Sequence, residues 1–436
     1  MKNILKLPLG LFFLLILSCS SGGDDSVPAI SDTEAPSIPT NLKYSTITES
    51  SVSLSWTAST DNSSVQSYLI FKNNENLVST NSTTYLVTNL DSSTEYTFKV
   101  QAKDKAGNIS SFSNPVSVTT AVINAELQYG SGSIETYLGN IIDNDVPGSS
   151  GNNYKEPTIS EIAIWELVIK AILDKNISVA VQKSALLKYQ IKEFTDNLLS
   201  PQQTFIILEK KSSQSNYWGT YVFSKTPSSE NLVISAPHIK YDTNTGKQAA
   251  YCFRNNLAKA LFINGTHRCN NEIPTSCDGT TTACSSTSEA YRISDMAHTV
   301  RSVFQKTTEI LATSLPSRIF VQLHGFDKNP SDPSVIMSNG TRETPVVDYA
   351  SLIKAALLSE DNSLTFKIAH IDKDWTKLTG FSNTQGRYLN NSPDPCSTSA
   401  TSTTGRFIHI EQERLKLRDD IAGWKKMSNA LKGVFQ

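Results

Sequence analysis

Two side chains that can bind a metal ion follow an apolar run in LVISAPHIKYDTNT, at residues 232–245. His238 comes directly after the β-branched and apolar residues, and Asp242 follows four residues later. Loops at strand ends often carry chemistry on a rigid scaffold, and His is a common ligand of zinc. The segment therefore predicts one half of a metal site. In the alternative interpretation, His238 only bonds its loop and Asp242 only caps the turn that follows.

A second apolar run, RIFVQLHG at residues 318–325, ends in His324 and Gly325. Two strands that each end in a His can bring both side chains to one edge of a parallel sheet. His238, Asp242 and His324 would then fill three zinc positions and leave a fourth open for water. That is the arrangement of a catalytic zinc site rather than a structural one.

A third run, RFIHIEQERLKLR at residues 406–418, carries His409 and Glu411. They lie on one strand face, because side chains two residues apart on a strand point the same way. A Glu beside an activated water can take its proton and pass it to a leaving amine. Glu411 is therefore the predicted acid/base, and Glu413, one step further on the same face, is its rival. The alternative is a solvated strand end followed by a charged helix.

The elements that must position these residues alternate between strand and helix patterns. Helices are predicted at 160–172, 179–199, 247–262, 295–311, 348–358 and 413–427, and strands at 205–208, 218–223, 232–235, 318–323, 365–371 and 406–410. Strands separated by helices predict an α/β domain with a mostly parallel sheet. We assign it to residues 156–436, as a phosphorylase/hydrolase-like fold.

Residues 36–120 have a different pattern, with short alternating segments between turn residues, which predicts an all-β sandwich. APSIPTNLKY resembles the opening strand of a fibronectin type III domain, and SLSWTAS resembles its second strand with the buried Trp56. LDSSTEYTFKVQAKD resembles its tyrosine corner, with Tyr96. The resemblance implies a spacer, or a binder of an extracellular polymer or protein. Residues 121–155, rich in Gly, Asn, Asp and Ser, are predicted to be a linker or an irregular lead-in.

Three segments resemble motifs of zinc-dependent amidohydrolases related to carboxypeptidases. In chain order they are APH…DTNT, LHG and IHIEQ…LR. The nearest groups are the N-formylglutamate amidohydrolases and the poly-γ-glutamate hydrolases. The resemblance covers residues 205–436 and implies His238, Asp242 and His324 as zinc ligands and Glu411 as the catalyst. The chain departs from the family in having Asp242 where Glu is more usual, and residues 265–290 match nothing in particular.

Polar clusters elsewhere in this domain are candidates for the lining of the pocket. Arg268, beside His267 in GTHR, offers a cation, and Asn383 and Arg387 lie in NTQGRYLN. The planar fork of an Arg suits a carboxylate, and the family resemblance implies that substrate-binding role for Arg387. In an alternative ligand set, His298 or His267 replaces the carboxylate of the predicted site.

The N-terminus has the pattern of an export signal. Lys2 and Lys6 precede a short apolar run that ends in Leu-Ser-Cys at Cys19. This pattern resembles a bacterial lipobox, which implies that residues 1–19 are a signal peptide and that Cys19 is lipidated. Residues 20–35 are predicted to be a flexible tether, and SSGGDD resembles the acidic export tag of surface lipoproteins. We therefore predict an outer membrane lipoprotein exposed at the cell surface.

Charge and cysteine content limit the partners and the compartment. The net charge of −2 gives no indication of nucleic acid binding. Of six cysteines, five remain after Cys19, an odd number for an oxidising compartment. We therefore predict one or two disulfides and one thiol left over, among Cys252, Cys269, Cys277, Cys284 and Cys396.

The predicted function is a surface-anchored zinc-dependent hydrolase of an amide bond. The substrate would be an N-acyl amino acid, a γ-glutamyl compound or a peptide, as a small molecule or a polymer. Zinc would polarise the carbonyl oxygen, and Glu411 would be the general base. The alternative is an inactive hydrolase fold that binds a ligand at the cell surface.

Overall fold

The computed structural model describes residues 32–211 and 216–436. Within them the chain divides into two compact units, an N-terminal β-sandwich and a larger α/β unit. The predicted signal peptide, the lipidation site Cys19 and most of the predicted tether lie outside the described residues, so they stay predictions. In the part of the chain that is described, no helix is both long and apolar enough to span a membrane.

Two small sheets form the sandwich. Its strands are β1 (Thr40–Ile47), β2 (Val52–Thr57), β3 (Val65–Lys72), β4 (Glu75–Thr80), β5 (Thr84–Val87), β6 (Glu95–Asp104) and β7 (Val116–Thr119). One sheet has the order β1-β2-β5 and the other β4-β3-β6-β7. Alternate residues of β6 are buried, because successive side chains on a strand point to opposite faces. Trp56 and Tyr96 lie in the core as the pattern predicts, and Trp56 packs edge-on against Tyr68.

A ten-stranded sheet forms the centre of the larger unit. The strands that follow the sandwich are β8 (Gln128–Gly132), β9 (Tyr189–Asp196), β10 (Gln203–Lys210), β11 (Thr220–Ser224), β12 (Ser229–Ala236), β13 (Ala258–Ile263), β14 (Thr280–Thr281), β15 (Glu289–Ala290), β16 (Ile319–Phe326), β17 (Val335–Ser338), β18 (Phe366–Ile368) and β19 (Phe407–Glu413). The large sheet has the order β18-β17-β19-β16-β12-β13-β11-β10-β9-β8, and β14 pairs with β15 separately.

Helices cover both faces of this sheet. They are α1 (Ile134–Asn144), α2 (Ile159–Leu173), α3 (Ile177–Leu186), α4 (Thr245–Asn256), α5 (Val303–Ser314), α6 (Tyr349–Glu360), α7 (Thr384–Leu389), α8 (Arg414–Leu417) and α9 (Ile421–Phe435). Helices α1, α4, α6 and α9 contribute apolar residues to one core, and α2, α3 and α5 to the other. The unit is therefore a three-layer α/β structure.

The sheet is mixed, which corrects the prediction of a mostly parallel one. At its centre β13, β12, β16 and β19 run parallel. On one side β9, β10, β11 and β13 pair antiparallel, and on the other side β17 is antiparallel to β19. The short connections from β9 to β10 and from β10 to β11 require antiparallel pairing, since parallel strands need a long crossover.

Several predicted boundaries differ from the structure because buried strands imitate helices in sequence. The predicted helix at 247–262 is α4 followed by β13, with Leu257 at a left-handed φ of 45° between them. The prediction at 179–199 merges α3 with β9. An apolar run buried on both faces has no period of two, so its pattern does not distinguish strand from helix. The predicted helix at 295–311 begins only at Val303 as α5.

The predicted linker at 121–155 also differs, because it contributes structure to the larger unit. It holds β8, which pairs parallel with β9 at the sheet edge, and α1, whose Ile134, Leu138 and Ile142 are buried in the core. Its Gly and Asn content predicts an irregular segment. Three apolar residues at helical spacing are nevertheless enough to bury one helix face.

The carboxyl ends of β12, β16 and β19 meet at one edge of the sheet. In the register of β16 with β19, Gln322 pairs with His409 and His324 pairs with Glu411. These four side chains lie on the face of the sheet that also carries Phe320. Phe320 belongs to the core to which α2, α3 and α5 contribute. Polar residues thus replace the apolar core at the strand ends on this face.

Candidate metal centre

A tight turn after β12 brings the carboxylate of Asp242 back towards His238. The backbone N–H of Asp242 donates to the carbonyl of His238 at 2.8 Å, and that of Thr245 donates to the carbonyl of Asp242 at 3.0 Å. Helix α4 then begins at Thr245. The spacing of four residues between the His and the Asp is therefore closed by backbone hydrogen bonds.

His238, Asp242 and His324 converge on one point. Oδ2 of Asp242 is 3.4 Å from Nδ1 of His238 and 3.4 Å from Nδ1 of His324. It also accepts the backbone N–H of Gly325 at 3.1 Å. One ligand atom from each of the three residues lies within 4.8 Å of the other two, and all three side chains are buried. The structure thus brings together the three residues predicted as ligands.

Glu411 lies beside this cluster, next to a histidine for which the sequence gave no role. Oε1 of Glu411 is 3.6 Å from Nε2 of His409, and the His409 ring lies 4.4 Å from that of His324 between centroids. Nδ1 of His409 and Oε2 of Glu411 are both buried without a hydrogen-bond partner among the described residues. Two unsatisfied polar atoms at one place are costly unless a ligand, an ion or a proton transfer uses them.

The pKa values of the carboxyl groups move in opposite directions. Burial opposes the charge of Asp242, but the adjacent imidazoles of His238 and His324 hold its pKa below the usual value. Burial raises the pKa of Glu411 to about 8, and the charge of Asp242 adds to that rise. Burial lowers the pKa of His324 to about 4 and that of His409 well below the usual value. Neutral imidazoles are the form that binds metals.

Asp295 orients the first histidine of the cluster, a role that the sequence did not reveal. Its Oδ1 is 2.8 Å from Nε2 of His238 and 3.0 Å from Nδ1 of His298. Its other oxygen accepts two bonds from the guanidinium of Arg268. A carboxylate on the outer nitrogen of a ligand His fixes the ring and makes its free nitrogen more basic. The segment Asp295–His298 was expected to open a helix and instead forms turns outside any helix.

The donor set fits a divalent cation, and zinc in particular. Two imidazole nitrogens and one carboxylate oxygen are the ligands that zinc takes in catalytic sites. Because Nε2 of His238 already contacts Asp295, its Nδ1 is the nitrogen that faces the cluster. The unsatisfied atoms of His409 and Glu411 supply polar surroundings for an ion and for water.

A competing set of ligands is His238, Asp295 and His298, whose ligand atoms also lie within 4.8 Å of one another. Its Asp295 oxygens are already engaged by Arg268 and both histidines.

The cluster opens into a cavity of about 430 Å³. The loop segments that line it are joined by disulfides, Cys269–Cys284 and Cys277–Cys396, and Cys252 stays free and buried. The five cysteines of the described residues thus form two bridges and leave one thiol, within the range predicted. His267 accepts the backbone N–H of Cys269 through Nδ1 at 3.1 Å, so it belongs to this loop and not to the cluster.

The three predicted substrate-binding residues line this cavity, and each of them also makes bonds within the protein. Nε of Arg387 donates to the carbonyl of Phe381 at 3.0 Å, and Nη1 donates to Asp278 at 3.0 Å and to the carbonyl of Cys396 at 3.0 Å. The guanidinium therefore ties loops together at the cavity wall, and its role in substrate binding stays a prediction. Arg268 is paired with Asp295, and Asn383 caps α7 through the N–H of Gly386.

Gly325 allows a close approach that any side chain would prevent. A Cβ atom there would lie 2.1 Å from the guanidinium carbon of Arg418. Arg418 is buried and donates to the carbonyl of Thr243 at 2.6 Å, within the turn that holds Asp242. The glycine after His324 thus supports the packing of the turn.

We expect Gly325→Ala to lower the free energy of unfolding of the larger unit by about 1–3 kcal/mol, the usual cost of overpacking. Urea denaturation followed by circular dichroism measures this. The matched control is Gly139→Ala in α1, where a Cβ meets nothing within 4 Å. It should be neutral or stabilise by up to about 1 kcal/mol, because Ala favours a helix interior. Equal effects of the two substitutions would contradict the packing role of Gly325.

Comparison with known families identifies the N-terminal unit. Residues 37–119 match the family described as the fibronectin type III domain. The match confirms the predicted sandwich and its family. The larger α/β unit lies outside the matched residues.

Similar proteins share this part of the chain. Chitinase Chi52 of Paenibacillus xylanexedens is 52% identical over 101 residues, which are 23% of this chain and 19% of that protein. Exoglucanase A of Cellulomonas fimi is 46% identical over 92 residues, 20% of this chain and 11% of that protein. Among solved structures, chitinase ChiA74 from Bacillus thuringiensis covers 21% of this chain and 14% of its own at 41% identity, with a TM-score of 0.20. The chain thus spans less than a fifth of the length of these three relatives.

These relatives correct the predicted reaction. The two curated relatives share the fibronectin type III region, and they are hydrolytic enzymes named as a chitinase and an exoglucanase, not as amide hydrolases. The prediction of an amide hydrolase is therefore wrong. It rested on three short motifs, and these specify the residue types around a metal ion, not the bond that is cut.

Proposed function

We propose that this chain is a divalent-metal-dependent hydrolase that acts on a carbohydrate polymer and removes ester-linked acyl groups from it. The observation that carries the proposal is the meeting of His238, Asp242 and His324 beside Glu411, where parallel strands end. The carbohydrate substrate is supported by the relatives of the fibronectin type III region, which are named for chitinase and exoglucanase activity.

His238 and His324 would hold the ion through Nδ1, and Asp242 through Oδ2. When bound, zinc supplies Lewis-acid chemistry, because it polarises a carbonyl oxygen and lowers the pKa of water. Asp295 holds the His238 ring in place through its contact with Nε2. The cavity beside the cluster, of about 430 Å³, has room for an acyl group and part of a sugar.

Glu411 would move the proton. As a water oxygen attacks the acyl carbon, the carboxylate accepts a proton from that water. The bond between the acyl carbon and the sugar oxygen then breaks, and the same proton passes to the sugar oxygen, which leaves as a hydroxyl. Burial raises the pKa of Glu411 to about 8, and a nearby cation counteracts burial. The raised pKa brings Glu411 closer to neutral pH, where a general base is most effective.

An acyl ester suits this site better than a glycosidic bond. A glycosidic carbon has no carbonyl oxygen for a Lewis acid to polarise, whereas an ester has one. The pKa of Glu411 is raised and that of Asp242 is lowered, which favours a second candidate, glycosidic hydrolysis. In that reaction Glu411 is the acid and Asp242 is the charged carboxylate. That reaction would need no metal ion.

Product analysis of the purified full chain separates the two candidates. We expect acetate release from O-acetylated xylan, loss of that release after treatment with a zinc chelator, and recovery on addition of zinc. The control substrate is the same xylan after alkaline removal of its acetyl groups, from which no acid should appear. New reducing ends from chitin or cellulose that persist with the chelator would overturn the ester proposal in favour of the glycosidase.

A further inference from the structure

A network of buried amide side chains lies behind His324. Gln322 stands two residues earlier on β16, on the same face of the sheet. Its Oε1 is 2.8 Å from Nε2 of His324 and also accepts a bond from Nδ2 of Asn383. Its Nε2 donates to Oε1 of Gln385 at 3.1 Å. These residues are buried, so water cannot replace a lost partner.

The direction of each bond in this network follows from a backbone group at one end. The backbone N–H of Gly386 donates to Oδ1 of Asn383 at 2.9 Å. A backbone N–H can only donate, so the Asn383 atom that it meets is the oxygen. The other end of that side chain is then the NH₂ group, which donates to Gln322. The atom of Gln322 that faces both Asn383 and His324 must therefore be its oxygen.

The other end of the network gives the same direction independently. Nε2 of Gln385 donates to the backbone carbonyl of Met296 at 2.8 Å. A carbonyl can only accept, so the Gln385 atom that faces Gln322 is an oxygen. It accepts the NH₂ group of Gln322, which leaves the Gln322 oxygen directed at His324. Both ends of the network thus agree on a single arrangement.

From this arrangement we infer that Asn383 and Gln322 are positioning residues, which fix the proton of His324 on Nε2 and leave Nδ1 free to bind a metal ion. An amide oxygen cannot donate, so Nε2 of His324 must carry the hydrogen in that contact. A neutral imidazole has one N–H, so Nδ1 keeps its lone pair, and Nδ1 is the atom beside Asp242. The inference rests on the proposed function, because the metal ion that Nδ1 would bind is the zinc ion proposed there.

The hydrogen-bond relay from Asn383 through Gln322 to His324 can be tested by two matched substitutions. Each of them replaces an NH₂ group by an oxygen and adds the same charge. Asn383→Asp still accepts the N–H of Gly386 and still caps α7, but it presents an oxygen to the oxygen of Gln322. Gln322→Glu still accepts from both His324 and Asn383 and loses only its bond to Gln385. The relay therefore predicts opposite results from two changes that are alike in size and charge.

The first measurement is the zinc affinity of the full chain, by competition with a chromophoric chelator. Asn383→Asp should weaken zinc binding by about 10–100-fold, the usual effect of losing an outer partner of a ligand His. Gln322→Glu should bind zinc at least as tightly as the wild type. Gln248→Leu, a buried amide that contacts Gln412 and the carbonyl of Leu417, is the packing control and should leave zinc affinity unchanged.

The second measurement is the ring tautomer of His324 in the metal-free chain, by ¹⁵N NMR of labelled histidine. The proton should be on Nε2 in the wild type and in Gln322→Glu, and should shift towards Nδ1 in Asn383→Asp. If both acidic variants tighten zinc binding equally, charge alone explains the data and the relay is overturned. If the wild type binds no zinc, the proposed function fails, whereas the tautomer still decides the relay separately.

Discussion

We expect His324→Ala to leave the purified chain without bound zinc and without hydrolytic activity. The substitution removes one of three ligand atoms, and the remaining two lie on one turn, at His238 and Asp242. Loss of a direct ligand should weaken zinc binding by more than the about 10–100-fold seen for an outer partner. Zinc content after dialysis, measured by mass spectrometry beside acetate release, gives the result.

His370→Ala is the matched control for that experiment. His370 is also a buried histidine in the larger unit, but its Nε2 bonds Asp348 at 2.9 Å, and it belongs to none of the metal-binding clusters among the described residues. It should keep zinc and activity even if its stability falls. Equal zinc content in His324→Ala and the wild type would show that the ion binds elsewhere.

Glu411→Gln should reduce turnover by about 10²–10⁴-fold, the usual contribution of a general acid–base group. Zinc should stay bound, because Gln has the same shape and Glu411 is not one of the three proposed ligands. The measurement is kcat for acyl release together with zinc content. A loss of activity with full zinc content separates proton transfer from metal binding.

Glu413→Gln is the control for this second prediction. Glu413 is the next residue on the same face of β19 and is buried to a similar extent, with Lys328 at 3.5 Å. It should keep most of the activity. If Glu413→Gln were inactive and Glu411→Gln active, the roles that we give to the two carboxyl groups would have to be exchanged.

The cluster itself could be predicted because its geometry is local or set by strand ends. Asp242 follows His238 by four residues, and backbone hydrogen bonds close the turn between them. His324 and Glu411 are register partners on adjacent parallel strands, so two apolar runs that end in polar residues place them side by side. The sandwich could be predicted because β6 alternates buried and exposed positions over ten residues.

The residues behind the cluster could not be predicted, because their contacts join distant segments. Asp295 reaches His238 across 57 positions, and Asn383 reaches Gln322 across 61. Nothing in the local pattern of either segment specifies these pairs. The same limit explains Arg387, whose fork was expected to hold a substrate carboxylate. Its bond to Asp278, 109 positions away, runs to a loop whose path depends on disulfides.

The bridge between Cys277 and Cys396 closes a loop of the chain with a sequence separation of 119 residues. That loop contains β16 with His324 and α7 with its Asn383 cap. By restricting the unfolded chain, a cross-link of this length is worth about 5 kcal/mol in the chain-entropy model. A chain produced where thiols stay reduced loses that contribution. Recombinant material for metal and activity assays should therefore be made under oxidising conditions, since a reduced preparation would report on a different conformational ensemble.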